Sequence, residues 1–428
     1  MKYLFKILLI LVLFLVKNES EANTLLESLN SAYLKNPKLN AERAGMRASR
    51  EEKRASISEF LPSITISGYI SEQDNTKTNG NESNLKPTEQ SMLVEQKIFQ
   101  GGSGIANFKK KKYGQTIGEF TLKKTEQEIL LEAAKSHTGL LLNIKKVNIN
   151  LINVDLLERQ VETDQNRLEK GEINLTDLAQ SESSLAGAIA ALILAQNDLV
   201  TSKANFEKVI GIKANENTLE IKKVNLNLPQ SLAEAYRISN SENPDLQIAT
   251  LEYKQARLDV AIAGSDLSPS AKLSYKIAEQ DNISATVTDR TQQTVTATAT
   301  WPLFSGGSNL FNLRKSQEIR NQKELLLEES KMKNETDVAS AWSSYQSSKS
   351  ILESIKSQVK AAEIANEGIT LEYESGNSRT TLEVIQSRTI LLNSRINLAS
   401  SERNFLISQF NLLSSVGRLT GKQLNLKK

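Results

Sequence analysis

The clearest pattern along the chain is an apolar residue at every seventh position in two long stretches. The first series is Leu178, Leu185, Leu192, Leu199 and Phe206, and the second is Val384, Leu391, Leu398, Phe405 and Leu412. A sustained seven-residue repeat indicates the seam of a left-handed coiled coil. The stretch before each series carries apolar residues at steps of three and four. We therefore predict long helices at about 103–169, 174–210, 308–374 and 379–416.

Four shorter segments alternate between apolar and polar residues, which predicts β-strands. In the first segment Ile64, Ile66 and Ile70 face one way and polar residues face the other. We place the strands at about 62–72, 89–99, 269–280 and 291–303, with polar loops near 71–89 and 280–292. About ten residues is the length of a tilted transmembrane strand. A soluble sandwich with one wet face would show the same alternation.

The chain contains the same plan twice. Ser28–Tyr33 returns as Ser231–Tyr236, and Ile98–Ser103 returns as Leu303–Ser308. Self-similarity at a fixed period indicates a duplicated structural unit. Each copy reads as short helices, a strand pair and two long helices. We therefore divide the chain into a first repeat at 23–228 and a second repeat at 229–428, preceded by a leader at 1–22.

The leader indicates export. Lys2 and Lys6 precede an apolar run, Ile7 to Val16, and small residues follow near Ser20. These are the parts of a secretory signal peptide. An apolar run of this length is too short for a membrane helix, which needs about 20 residues. No other stretch approaches a transmembrane helix, so we expect any membrane contact of the mature chain to use another route.

Composition excludes most chemistry. The chain has no Cys and a single His, and 53 Lys and Arg residues are balanced by 50 Asp and Glu residues. Disulfides, thiol nucleophiles and multi-histidine metal sites are therefore excluded, and no basic stripe indicates nucleic-acid binding. We predict no catalytic site, no cofactor and no bound metal. His137 lies in a predicted long helix, where we expect it at the surface.

The number of membrane strands decides the architecture. Four strands cannot close into a barrel, and an open edge in lipid leaves backbone groups without hydrogen bonds. About eight strands is the smallest closed membrane barrel. Several chains must therefore share one barrel, with two chains giving eight strands and three giving twelve. Long paired helices on one side of the strands then imply a helical tube on the periplasmic side of an outer membrane.

In these features the chain resembles the TolC family of outer-membrane efflux channels. The resemblance is carried by the duplicated element order, by the Asn-Pro-x-Leu openings at Asn36 and Asn243, and by the Phe-x-Gly-Gly-Ser segments at Phe99 and Phe304. It implies a mainly α fold with a membrane β-barrel, in which a homotrimer shares a twelve-stranded barrel continuous with a periplasmic α-helical barrel.

The resemblance also implies localisation and partners. The channel would lie in outer-membrane lipid and extend into the periplasm. It would dock to a periplasmic adaptor, also called a membrane fusion protein, and to an inner-membrane pump of the ABC, RND or MFS type. Small toxic molecules, or an unfolded protein in type I secretion, would be the substrates.

The resemblance places a periplasmic gate at the two glycine-containing turns, around Gly171 and Gly376. An Asp of the first repeat pairs in the family with a Tyr and an Arg of the second repeat. Here Asp177 and Tyr373 match, and Arg379 matches one residue later than the family spacing. The acidic constriction ring would be formed by Glu383, because Gln386 stands at the second acidic position. Ordinary exposed residues at helix ends are the alternative interpretation.

Two other classes of protein are alternatives to the channel. A soluble periplasmic coiled-coil adaptor or structural protein with a small β domain is the main alternative, and it predicts neither membrane insertion nor a shared barrel. An enzyme would need a cluster of reactive side chains, and the sequence offers none.

Overall fold

The structure is a computed structural model that describes residues 24–76, 82–214, 226–284, 286–375 and 379–426. The predicted signal peptide at 1–22 lies outside the described residues. The chain forms two compact units. The first unit contains Met1–Glu42, Leu122–Pro244 and Met332–Lys428, and the second contains Arg43–Thr121 and Asp245–Lys331.

Helices dominate both halves of the chain. Helices of the first half are α1 (Leu25–Lys35), α2 (Pro37–Ala55), α3 (Ser103–Glu169) and α4 (Leu175–Ile210), with a short 3₁₀ turn at Ser56–Phe60. Helices of the second half are α5 (Leu232–Glu242), α6 (Pro244–Ser265), α7 (Ser308–Glu374) and α8 (Thr381–Ser415). In each half the first two helices precede a strand pair and the long helices follow it. This order confirms the predicted fold class, a mainly α chain with an internal repeat.

The second unit contains one four-stranded antiparallel sheet. Its strands are β1 (Ser63–Ile70), β4 (Thr88–Gln100), β5 (Ser270–Ser284) and β6 (Val287–Thr300), in the order β1-β4-β5-β6. Each half of the chain contributes one antiparallel pair, and β4 and β5 join the two pairs. Within the described residues β1 and β6 are the edges of this sheet and pair on one side only.

The register of the sheet sorts the side chains by polarity. One row across all four strands reads Ile64, Val94, Tyr275 and Val295. Side chains alternate between the two faces along a strand, so the matched register collects the apolar residues on one face. This face is open in the single chain, where Ile66 is 80% exposed. The alternation that predicted a half-apolar sheet therefore extends to β4, whose sequence pattern is the least regular.

The segments expected as polar loops contain additional strand structure. Gln73–Thr76 (β2) and Glu82–Leu85 (β3) form a two-stranded antiparallel ladder between β1 and β4. In the second half the β5–β6 ladder continues to the pair Ser284 and Val287. Polar residues do not prevent pairing here, because backbone hydrogen bonds hold a ladder whatever side chains it carries. The loop prediction was therefore too long at both places.

The first unit is built around a buried apolar core. Leu29 of α1, Leu130 of α3, Phe206 of α4 and Phe410 of α8 are all fully buried in it. His137 also lies here and is fully buried, with Nδ1 2.8 Å from the Ser28 hydroxyl and its ring 6.0 Å from that of Phe206. The expected surface position for His137 was wrong, because a hydroxyl partner and a neighbouring ring make burial of an imidazole acceptable.

Helix α4 also departs from expectation. It is long and apolar enough to cross a membrane by length and composition alone, and it is the one helix of the described ranges to meet that test. No charged residue occurs between Glu182 and Asp198. The prediction that no other stretch approaches a transmembrane helix was therefore too strict. The core helix of a soluble assembly meets the same test, so the property does not place α4 in lipid.

A glycine ends α8 and directs the C-terminal segment. Gly417 has a φ of +83°, and its backbone lies against the Glu242 carbonyl, so that an added Cβ would collide with backbone atoms. The following residue, Arg418, donates its backbone N–H to the Leu413 carbonyl at 2.7 Å and its guanidinium to the Glu242 carboxylate at 2.7 Å. Only glycine fits both the conformation and the space.

We expect Gly417→Ala to destabilise the first unit by more than ~1 kcal/mol, because the substitution adds a steric clash to an unfavourable positive φ. Thermal melting followed by helical circular dichroism would measure the loss. Gly368→Ala is the matched control, since Gly368 lies inside α7 with open space around its Cβ position. The control should melt at the wild-type temperature or slightly above it. Equal melting of both variants would contradict this account of Gly417.

Candidate functional site

The predicted gate lies where α3 ends and α4 begins. Gly171 has a φ of +73° and lets the chain leave α3, with the Glu172 N–H donating to the Arg167 carbonyl at 2.9 Å. Asn174 then caps α4. Its side-chain oxygen accepts the Asp177 N–H at 3.0 Å, while the Asp177 carboxylate accepts the Asn174 N–H at 3.3 Å. This capping box fixes the start of α4 and uses the Asp177 carboxylate locally.

A second capping box begins α8. The Thr380 hydroxyl accepts the Glu383 N–H at 3.3 Å, and the Glu383 carboxylate accepts the Thr380 N–H at 2.8 Å. Arg379 joins this box to α7, because its guanidinium lies 2.6 Å from the Glu372 carboxylate and 2.9 Å from that of Glu383. Gly376, the second predicted turn glycine, lies outside the described residues.

Charges around the α8 cap stabilise one another. Hydrogen bonds from Thr380 and Arg379 lower the pKa of the Glu383 carboxyl, with the Thr380 backbone N–H contributing most. The Glu372 carboxylate raises the pKa of the Arg379 guanidinium, and Glu383 adds to the effect. All three side chains are exposed, so solvent screening makes each of these ion pairs weak.

A buried polar cluster lies beneath these surface pairs and connects all four long helices. At its centre is Asp164 of α3, which is fully buried. Its carboxylate accepts the Tyr373 hydroxyl of α7 at 3.0 Å and the Ser181 hydroxyl of α4 at 2.5 Å. The Tyr373 oxygen is also 3.0 Å from the Thr381 hydroxyl at the start of α8.

Two arginines surround this cluster. The Arg167 guanidinium stacks 4.7 Å from the centre of the Tyr373 ring, a cation–π geometry. Arg388 of α8 donates to the Leu156 carbonyl at 3.3 Å, and burial lowers its pKa. Burial likewise raises the pKa of the Tyr373 hydroxyl, so this group stays protonated and can donate.

The structure brings some of the predicted gate residues together and separates others. Arg379 and Glu383 are in contact, as described. Tyr373 is buried and bonds to Asp164, whereas Asp177 is engaged in the cap of α4. Asp164 is not among the gate residues predicted from the sequence. A signal was present, because Asp164 follows Leu157 by seven residues and both are buried, so a carboxylate stands where the seam expects an apolar side chain.

The sheet provides a second functional surface, on its polar face. Lys276 lies 2.7 Å from the Glu89 carboxylate on the neighbouring strand, and Lys272 lies 2.8 Å from that of Glu95. Gln280 also donates to Glu89 at 2.6 Å. One face of the sheet is thus apolar and the other carries paired charges, the arrangement of a wall between lipid and water. No group of residues suited to a metal ion occurs in the described part of the chain.

Comparison with known proteins agrees with this arrangement. A sequence profile of the family described as outer membrane efflux protein matches residues 28–212 and again residues 235–418. The chain belongs to the outer membrane efflux protein family. It is an efflux channel of the outer membrane with a periplasmic extension, as the resemblance to the TolC family predicted.

Individual relatives are similar over nearly the whole length. The chain is 26% identical to the outer membrane efflux protein BepC of Brucella suis, over 95% of this chain and 88% of BepC. It is 24% identical to the outer membrane protein TolC of Escherichia coli, over 99% of this chain and 88% of TolC. Its fold is similar to that of the Campylobacter jejuni CmeC outer membrane channel, with a TM-score of 0.83, 12% identity and coverage of 94% and 87%.

The capping box of α8 generates a pH prediction. Because the pKa of Glu383 is lowered in the folded chain, its contribution to the first turn of α8 is complete above the usual carboxyl pKa of about 4.3 and is lost as the pH falls through the lowered value. We expect amide exchange in this turn, corrected for the intrinsic effect of pH, to accelerate on acidification below about pH 4.

Hydrogen-exchange mass spectrometry would measure this change. At neutral pH, Glu383→Gln should already show the faster exchange. The substitution replaces the charged carboxylate, which Arg379 and the Thr380 N–H bind, with a neutral side-chain amide. Glu367→Gln removes an exposed charge from α7 and is the matched control, for which exchange in α8 should equal that of the wild type. Slow exchange in Glu383→Gln at neutral pH would contradict the importance of this cap.

Proposed function

We propose that three copies of this chain form the exit duct of a tripartite export system, with a shared twelve-stranded barrel in the outer membrane and a periplasmic helical tube. The observation that carries the proposal is the four-stranded sheet, which within the described ranges has two edges without a pairing strand, one apolar face and one polar face. A membrane sheet must close on itself, because lipid offers no hydrogen bonds to a free edge. Neighbouring copies provide the missing pairing for β1 and β6.

Exposed apolar residues on the long helices support the same assembly. Ile193, Leu194 and Val200 of α4 are each more than half exposed in the single chain. Contiguous apolar surface of this kind marks a contact with another protein surface or with lipid. In a trimer the helices of adjacent copies cover it. The alternative, a soluble adaptor, leaves both the apolar sheet face and these helix residues without a partner.

A duct needs partner proteins that deliver its substrate and provide the driving force. The chain contains no energy-coupling motif, so a periplasmic adaptor and an inner-membrane pump of the ABC, RND or MFS type would supply the substrate and the driving force. Drug efflux and type I protein secretion use the same kind of conduit, and the pump selects between them. The protein itself carries out no chemical reaction under this proposal and needs no cofactor.

We place the gate at the periplasmic turns, with Asp177, Tyr373, Arg379 and Glu383 as its residues and Gly171 and Gly376 as its hinges. Hydrogen bonds and ion pairs at helix ends suit a gate, because weak ties repeated by symmetry hold a closed end and yield to a partner. The contacts of Arg379 with Glu372 and Glu383 support this role, as does the burial of Tyr373 between helices.

Fractionation of cell envelopes tests the assembly. We expect the full-length protein in the outer membrane, and we expect it to migrate as a trimer in an unheated denaturing gel and as a monomer after heating. Closed membrane barrels resist denaturant in this way because every backbone hydrogen bond is satisfied. A soluble monomer in the periplasmic fraction would contradict the proposed trimer with its shared barrel.

Single-channel recording tests the gate. In planar bilayers the combined variant Asp177→Ala, Tyr373→Phe should conduct severalfold better than wild type, since both proposed ties at the tip are removed. Glu162→Gln, an exposed charge change on α3, is the control and should conduct as wild type. A combined variant with wild-type conductance would show that the gate lies elsewhere.

A further inference from the structure

The buried carboxylate of Asp164 is held by donors from three different helices. Tyr373 of α7 and Gln160 of α3 donate to one oxygen, at 3.0 and 2.9 Å, and Ser181 of α4 donates to the other at 2.5 Å. All three donors are neutral side chains. The negative charge of Asp164 is therefore kept in the protein interior by these hydrogen bonds and by the nearby charge of Arg388 of α8, and both require the helices to stay together.

A buried charge responds sharply to the loss of a partner. Leaving a buried ionised group with too few hydrogen bonds costs far more free energy than losing an exposed ion pair. Any motion that carries α7 away from α3 removes the Tyr373 hydroxyl from Asp164. The same motion exposes the Tyr373 ring, which is 6% exposed in this structure and stacked under Arg167. The contact therefore favours one packed arrangement and opposes intermediate ones.

We propose that Asp164 is the residue that locks the α7–α8 end to the α3–α4 end of the same chain in the closed channel, through Tyr373. This inference rests on the proposed gate at the periplasmic turns. It differs in the carboxylate that binds Tyr373, which is Asp164 in place of Asp177. The closing carboxylate lies on α3, on the near side of the Gly171 turn, and acts within one chain. Asp177 serves the cap of α4, so it is not the partner of Tyr373 in the locked state.

A second contact of Tyr373, with Thr381, supports this role in holding the helices together. Thr381 is the first residue of α8, and its hydroxyl lies 3.0 Å from the Tyr373 oxygen. The chain of contacts therefore runs from α4 through Ser181 and Asp164 to Tyr373, and on to the start of α8. A single side chain thus connects the turn of the first repeat with that of the second, where separation of the helices would widen the tube.

Single-channel recording of the full-length trimer in planar bilayers tests the proposal, with Asp164→Asn, Tyr373→Phe, the combination of both, and Asp177→Ala. We expect Asp164→Asn and Tyr373→Phe each to raise open probability about tenfold, the effect of losing a hydrogen bond to a buried charge. The combined variant should open no more than the stronger single variant, because both changes remove one contact. Asp177→Ala should raise open probability less than Asp164→Asn does, because Tyr373 donates to Asp164 and the Asp177 carboxylate is engaged in the cap of α4.

Glu162→Gln is the matched control, since it removes an exposed charge two residues earlier on the same helix and should leave gating unchanged. Ser181→Ala is a milder second test that keeps the charge of Asp164 and removes one donor, and we expect a smaller rise in open probability. Heat stability of the trimer, measured on each sample, separates opening from general unfolding, and the opened variants should keep the wild-type dissociation temperature.

The possible outcomes are distinct. Wild-type gating in both Asp164→Asn and Ser181→Ala, together with opening in Tyr373→Phe, would overturn the role of Asp164 and leave the gate at the tip intact. Additive effects of Asp164→Asn and Tyr373→Phe would also overturn it. Opening in Asp177→Ala to the level of Tyr373→Phe would identify Asp177 as the closing carboxylate. Absence of any channel in the wild-type sample would contradict the proposed duct itself.

Discussion

The rest of the structure depends on a requirement of the backbone: in hydrocarbon every N–H and C=O must find its hydrogen bond within protein. The four-stranded sheet, as far as the chain is described, meets this requirement for its interior and leaves one side of β1 and one side of β6 without a pairing strand. In the proposed trimer, the sheets of neighbouring copies supply these hydrogen bonds. Oligomerisation is therefore a condition of membrane insertion for this chain, and the repeat explains how one gene supplies two equivalent strand pairs.

The long helices face a different constraint, set by water. A coiled-coil seam of Leu, Val and Phe buries apolar side chains along its whole length. It does not by itself favour the open or the closed arrangement of the helices. Polar groups placed in that seam distinguish the closed arrangement of the helices from the open one. They are stable only where their hydrogen-bond partners are present. The cluster around Asp164 is the clearest case in the described part of the chain. Capping boxes at Asn174 and Thr380 fix the helix starts beside it.

Much of this fold can be predicted from the sequence because its signals are periodic. Seven-residue spacing indicates long helices, alternation indicates strands, and both recur in the second repeat, so each prediction is made twice. The β2–β3 ladder escapes prediction because it is held by backbone bonds between polar residues. The burial of His137 escapes it because a lone polar residue acquires its partner, Ser28, from 109 positions away.

The functional residues also differ in how far the sequence predicts their contacts. Arg379 and Glu383 lie close in sequence, and helix geometry alone brings them together. Asp164 and Tyr373 are separated by 209 positions, and their contact depends on how four helices pack. No local pattern encodes such a pairing. A carboxylate at a buried heptad position marks that a partner must exist, but the identity of that partner comes only from tertiary structure.

The paired charges on the polar face of the sheet have a consequence for what can pass along it. Lys272 and Lys276 each lie against a glutamate of the adjacent strand, so positive and negative charge cancel within each pair over a few ångströms. Alternating charges produce a field that decays quickly with distance from the wall, within about one Debye length of 8–10 Å. In the proposed barrel these two pairs would therefore exert almost no electrostatic preference on a molecule near the centre of the bore.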